Sequence, residues 1–217
     1  MRFLGLTPDA VAARSPGAAI SPLQSSAGRS TAFGAAAFGA VSLLVFGHWA
    51  AGGPTLYRIG GELGAYLFWA ALFMGGAGWA LGPLVVGRSH GLRFLGAFAL
   101  GFAAYAAVWI ASWFALKNRS GAMLGAVAGT AAFAGVLCLA FGAPRRWFDA
   151  ALYLFIGNAA GYFAGDLAYS RLGGTAGKLA WGLLYGVSFG AGIGTTLFAL
   201  QSEIRRRLAG AESDGSR

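Results

Sequence analysis

The 217 residues are 57% hydrophobic and only 11% charged, include 37 Gly, and carry a formal net charge of +9. Soluble domains run at roughly 25% charged and about 7% Gly, and a water-surrounded globule of this size could not bury so much apolar side chain. Intrinsic disorder, which needs low hydrophobicity, is excluded by the same figures, leaving a chain whose solvent is lipid.

Residues 1–30, interrupted by Pro8, Pro16 and Pro22 and filled with Ser, Ala and Arg, read as a flexible or surface-lying cytoplasmic tail without a signal-peptide core. Six apolar runs follow, at 31–51, 64–86, 94–116, 121–143, 150–169 and 179–200. Each reaches the roughly 20 residues that carry a helix across about 30 Å of hydrocarbon. None alternates with the period of a barrel strand, so the expected fold is all-α, a six-transmembrane-helix bundle. The first connection is expected at Gly52-Gly53-Pro54 and the later ones at short, charged breaks. Residues 201–217 form a basic cytoplasmic tail in which Arg205, Arg206 and Arg207, continuing the sixth helix, face lipid head groups.

On this threading eleven Lys and Arg fall on the side of the termini and five on the other. The excess places both termini in the cytoplasm of a cell-membrane protein. Trp49, Trp113 and Trp181 mark the outer ends and Trp147 the inner surface, with Trp69, Trp79 and Trp109 packing deeper between helices. The bases are accounted for by orientation, so nucleic acid is not an expected partner. Membrane lipids, and other membrane subunits or further copies of the chain, are.

At an offset of 95 residues, 36–47 (AAFGAVSLLVFG) and 131–142 (AAFAGVLCLAFG) agree at seven of twelve positions. Two halves of three helices each would lie in opposite orientations, a 3+3 inverted repeat. Glycines recur every fourth residue in the second half: Gly121, Gly125 and Gly129, then Gly157, Gly161 and Gly165, then Gly182, Gly186, Gly190 and Gly194. Such rows leave a helix face bare and allow close backbone approach in lipid. They predict that helices four, five and six form one tight cluster.

Asn158, Tyr162 and Asp166 make a polar stripe beside the glycines of helix five. A charge in hydrocarbon must be paired, protonated or wet, and Arg171, Lys178 and Lys117 are partners for Asp166 by topology. Ser42, Tyr105, Thr130, Asn158 and Ser188 share the middle depth and define a candidate solute path, chiefly Asn158, Tyr162, Asp166, Ser188 and Thr130. Ser and Thr also bond their own helix carbonyls, a role that needs no path. His48 and Glu62 flank the first connection as a candidate pH-sensitive pair.

No cofactor is expected, since the single Cys138 and the separated His48 and His90 make no metal site. Gly186-Val187-Ser188-Phe189-Gly190 imitates a nucleophile elbow, but it sits inside an apolar helix rather than at a strand-to-helix turn. No other catalytic constellation is present, and the chain is not expected to be an enzyme. The leading expectation is a small-solute or ion transporter or channel, proton-linked through Asp166. The alternative is a non-catalytic subunit of an energy-converting or photosynthetic membrane complex, contacting protein, lipid or pigment.

Overall fold

The computed structural model describes residues 4–15, 18–88 and 90–214, with side chains throughout except at 62, 63, 66 and 211–214. Among the described residues the chain is helical and contains no strand. Its helices are α1 (Pro8–Arg14), α2 (Ala27–Ala80), α3 (Gly91–Leu116), α4 (Arg119–Phe141), α5 (Trp147–Leu172), α6 (Gly174–Leu200) and α7 (Ser202–Asp214). Local chemistry sets several ends. The Ser26 and Asn118 side chains cap the backbone N–H groups of Arg29 and Gly121, and Gly142 closes α4 with φ 67.

Five stretches are long and apolar enough to span a membrane: Ala27–Gly61, Leu67–Leu84, Gly91–Leu116, Arg119–Phe141 and Gly174–Leu200. They lie over five of the six predicted runs. The surface has the polarity of a lipid-embedded bundle, with Ile59, Trp79 and Leu92 each more than three-quarters exposed. Helix α5, which holds the run 150–169, is as long as its neighbours at 26 residues but carries Asn158 and Asp166 and falls outside that group.

Three expectations are corrected. The Gly52-Gly53-Pro54 connection is helical, and α2 runs through Pro54 to Gly61, whose φ of 64 and ψ of −171 make the break. Proline's fixed φ suits a helix, so Pro54 costs a hydrogen bond without forcing a turn, whereas the left-handed region at Gly61 favours glycine. The N-terminal segment is packed rather than free: Leu6, Val11 and Ser15 are buried, and Gln24 Nε2 donates to the Pro83 and Val85 carbonyls at 2.9 and 3.0 Å. Third, the chain does not continue straight out of α6. It breaks at Gln201, and α7 folds back so that Ile204 and Leu208 join the core and α7 packs on α1.

The helices pair antiparallel, backbone against backbone. Gly121, Gly125 and Gly129 of α4 face Ser112, Trp109 and Tyr105 of α3. Gly157, Gly161 and Gly165 of α5 face Ser188, Tyr185 and Trp181 of α6, and Tyr169 meets Gly177 at the end of the same seam. The α6 row turns away from α5. Gly182, Gly186, Gly190 and Gly194 lie against Phe46, Ser42, Gly34 and Ser30 of α2. The predicted cluster of helices four, five and six is therefore three separate seams (α3–α4, α5–α6 and α2–α6), because a bare face does not specify the helix that fills it. Ser42 Oγ donates to the Gly182 carbonyl at 2.7 Å, and the Thr31 and Thr195 hydroxyls pair at 2.7 Å along the α2–α6 seam.

The first and last described helices, α1 and α7, meet at one end of the bundle, where Arg207 bridges Glu203 and Asp9. The hydrogen bond from Arg207, then the charges of Arg206 and Arg207, hold the Glu203 carboxyl below its ordinary 4.5. A depressed carboxylate stabilises the fold above its ordinary range, and that contribution disappears as pH falls through the lowered value. Acidification below about 4.5 is therefore expected to speed amide exchange in α1 and α7 before the spanning helices respond.

Candidate functional site

Two adjoining cavities, of about 290 and 490 Å³, open between α2, α3, α5 and α6 in the half of the bundle away from the termini. Phe46, Phe73, Trp109, Tyr162 and Trp181 line both. Trp49, Tyr57 and Trp69 extend the wall of the larger one toward the Gly61 bend, and Lys178 Nζ stands 4.3 Å above the Trp49 ring. The walls lock edge to face, as in Tyr162 against Trp109 and Trp181 at 5.7 and 5.8 Å. Such rings present a negative face to whatever enters.

Tyr105 and Tyr185 line the floor of the smaller cavity. Behind them Asn158 is fully buried and accepts a 2.8 Å hydrogen bond at Oδ1 from the Tyr105 hydroxyl, while its Nδ2 has no partner. A buried donor left unmade costs about 1–3 kcal/mol, so the folded chain holds a polar group its own neighbours do not satisfy. Nearer the termini the interior closes. Phe189 is fully buried among Phe38, Tyr105, Phe133 and Tyr185, with ring centroids 5.5–6.2 Å away. Below that plug Gln201 accepts from Val86 N–H at 2.7 Å and donates to the Leu84 and Leu197 carbonyls, tying the α2–α3 connection to the end of α6.

The predicted path residues separate. Asn158 and Tyr162 belong to this site, and Asp166 lies close enough to Tyr162 to act on it electrostatically. Among the described residues Asp166 makes no ion pair, so Arg171, Lys178 and Lys117 do not neutralise it. Thr130 bonds back to the Ala126 carbonyl at 2.6 Å, the self-contained role open to a helix threonine. Ser188 lines a separate pocket of about 290 Å³ between α5 and α6 instead. His48 accepts from Trp69 Nε1 at 3.2 Å, while the Glu62 side chain lies outside the described residues. Trp69 and Trp109 pack inside as expected, but Trp79 is exposed.

The three arginines of α7 all have partners within the chain. Arg205 donates to the Phe198 carbonyl at 2.7 Å and stacks on its ring, and Arg206 and Arg207 meet Glu203. Sequence reasoning missed the aromatic chamber, because its rings come from four helices at irregular spacing, and missed Gln24 and Gln201, whose polar sequence neighbours give no sign that the two amides are buried. Among the described residues no group of three His, Cys, Asp or Glu could hold a metal. Comparison with protein-family models, with curated proteins and with solved structures found no match.

Proposed function

We propose that this chain moves a small solute across the membrane, and that the aromatic chamber is its binding site, open away from the termini and closed toward them. The half-satisfied Asn158 amide, just behind the chamber floor, carries the reading. A donor held dry and unpartnered is costly as structure and useful to a solute bearing a hydrogen-bond acceptor. The walls suit a solute whose body is apolar or aromatic, and the unpaired Asp166 is the candidate proton link.

Six crossings fit this reading. Helices α1 and α7 lie at one end, which an even count satisfies, and α5 pairs with α6 along its length, which supports α5 as the sixth. The inverted repeat gains support from the pairing. Exchanging helices one and four, and three and six, maps the α2–α6 seam onto the α4–α3 seam. Phe38 and Phe133, equivalent at the 95-residue offset, flank Phe189. A cytoplasmic location for the termini follows from the distribution of arginines.

Since Cys138 is the single cysteine and is buried, replacing it with Ala gives a clean background for thiol labelling. Tyr162→Cys and Asn158→Cys in that background are expected to react with a membrane-impermeant thiosulfonate from the side away from the termini. The pH at which the Tyr162→Cys rate rises is expected to move down in Asp166→Asn, because the thiolate is the reacting form and the neighbouring carboxylate disfavours it. Complete protection of both cysteines from either side would defeat the transport reading. It would favour a dry subunit of a larger assembly, which the large exposed residues Leu67, Phe68 and Trp79 on the second arm of α2 would then contact.

A further inference from the structure

We propose that Arg14 and Arg93 form a binding site for a phosphate-bearing anion, either the phosphodiester of an anionic phospholipid or free phosphate. Arg14 ends α1 and Arg93 lies in the first turn of α3. Arg14 Nη2 donates to the Gly5 carbonyl, and Arg93 Nη1 donates to the Leu4 carbonyl at 3.4 Å. Both guanidinium groups press on Gly5 so closely that a Cβ there would strike each of them. Two cations thus share one corner, with neutral carbonyls as their hydrogen-bond partners.

No carboxylate among the described side chains joins them. Asp9 and Glu203 hold Arg207, Asp149 holds Arg146, and Asp166 lies toward the other end of the bundle. Arg14 Nε is buried with no hydrogen-bond partner. Arg88, whose backbone N–H donates to Ser15 Oγ at 2.8 Å, sets a third arginine beside Arg14 with its side chain exposed. Burial, and secondarily the charge of Arg93, pulls the Arg14 pKa down.

Like charges at this separation repel unless an anion lies between them. Planar guanidinium forks match phosphate oxygens in a way a lone ammonium does not. The site lies at the end of the bundle where α1 meets α7, in the first turn of the candidate spanning helix α3, a level at which head groups are expected. It takes the role that the sequence assigned to Arg205, Arg206 and Arg207, which are occupied within the chain. The inference is independent of transport.

The test is native mass spectrometry of the full chain released from detergent, titrated with dilauroylphosphatidylglycerol, dilauroylphosphatidylcholine or inorganic phosphate. The wild type is expected to retain the anionic lipid in preference to the zwitterionic one. Arg93→Gln should weaken retention about tenfold, Arg93→Lys less, and Arg206→Gln not at all. Lipid retention that phosphate fails to displace identifies the lipid as ligand, whereas a thermal shift with phosphate and no lipid preference identifies the free ion. Equal retention of the two lipids with no phosphate shift would overturn the proposal, as would an Arg93→Gln protein that elutes as a folded particle and binds like the wild type. Should Arg14→Gln fail to fold, the Arg93 variants decide alone.

Discussion

Gly190→Leu is expected to prevent the bundle from forming, and Gly190→Ala to lower its thermal midpoint in detergent, whereas Gly75→Ala leaves the midpoint unchanged or slightly higher. A Cβ at Gly190 would strike the Gly34 carbonyl and come within 2.8 Å of Phe38 Cβ, while one at Gly75 would meet nothing within 4 Å. Overpacking a soluble core costs about 1–3 kcal/mol. Here the clash is with backbone, which cannot rotate away, and the seam is held by close approach because lipid supplies no hydrophobic drive between helices. The alanine variant should therefore sit at the upper end of that range. Fluorescence-detected size-exclusion chromatography across a temperature series gives the comparison. A Gly190→Ala protein as stable as the wild type would mean that α2 and α6 are farther apart than described.

Asn158→Leu and Tyr105→Phe are expected to differ in stability, although both delete polar atoms from the same hydrogen bond. Leucine resembles asparagine in branching and removes the unpartnered Nδ2, and the Tyr105 hydroxyl it strands still has Tyr185 as a neighbour, so its midpoint should lie above that of Tyr105→Phe. Tyr105→Phe removes the donor that satisfies Asn158 Oδ1 and leaves the whole amide buried and unmet, at about 1–3 kcal/mol. Function should follow the other order. Any ligand found by quenching of the wild-type tryptophan fluorescence is expected to bind Asn158→Leu about tenfold or more weakly. An Asn158→Leu protein that is both less stable than Tyr105→Phe and fully able to bind would show that the amide is structural.

The apolar runs were legible because lipid imposes a length on a crossing helix, and five of the six predicted runs overlap helices that meet it. The turn at Gly61 was hidden behind Gly52-Gly53-Pro54, which carries the stronger turn composition and lies in an unbroken helix. Bare faces could be read from Gly157, Gly161 and Gly165, but their partners could not, since periodicity along one helix holds no information about its neighbour. Gly34, Gly39 and Gly192 complete the seams and escaped notice because they do not extend a four-residue row. Only part of the candidate site was readable. Asn158 and Tyr162 stood out as polar residues in an apolar run, whereas Trp69, Phe73 and Trp109 line the chamber only once the fold has gathered them. The N-terminal segment looked like a tail because its prolines mask the apolar Leu4, Leu6, Val11 and Leu23, which pack into or against the core.

Helix α6 is bare on two sides at nearly the same level, with Gly190 against Gly34 and Gly192 against the Tyr153 carbonyl. It has few side-chain teeth to engage either neighbour there, so it behaves as a smooth rod clasped between the first arm of α2 and α5. Turning it by a few degrees or drawing it along its axis would move Phe189 against Phe38 and Phe133, so the resistance falls on that packed ring rather than on the glycine faces. Thr31, Thr195 and Ser42 are then the detents, small hydrogen-bonded catches that fix where the rod comes to rest.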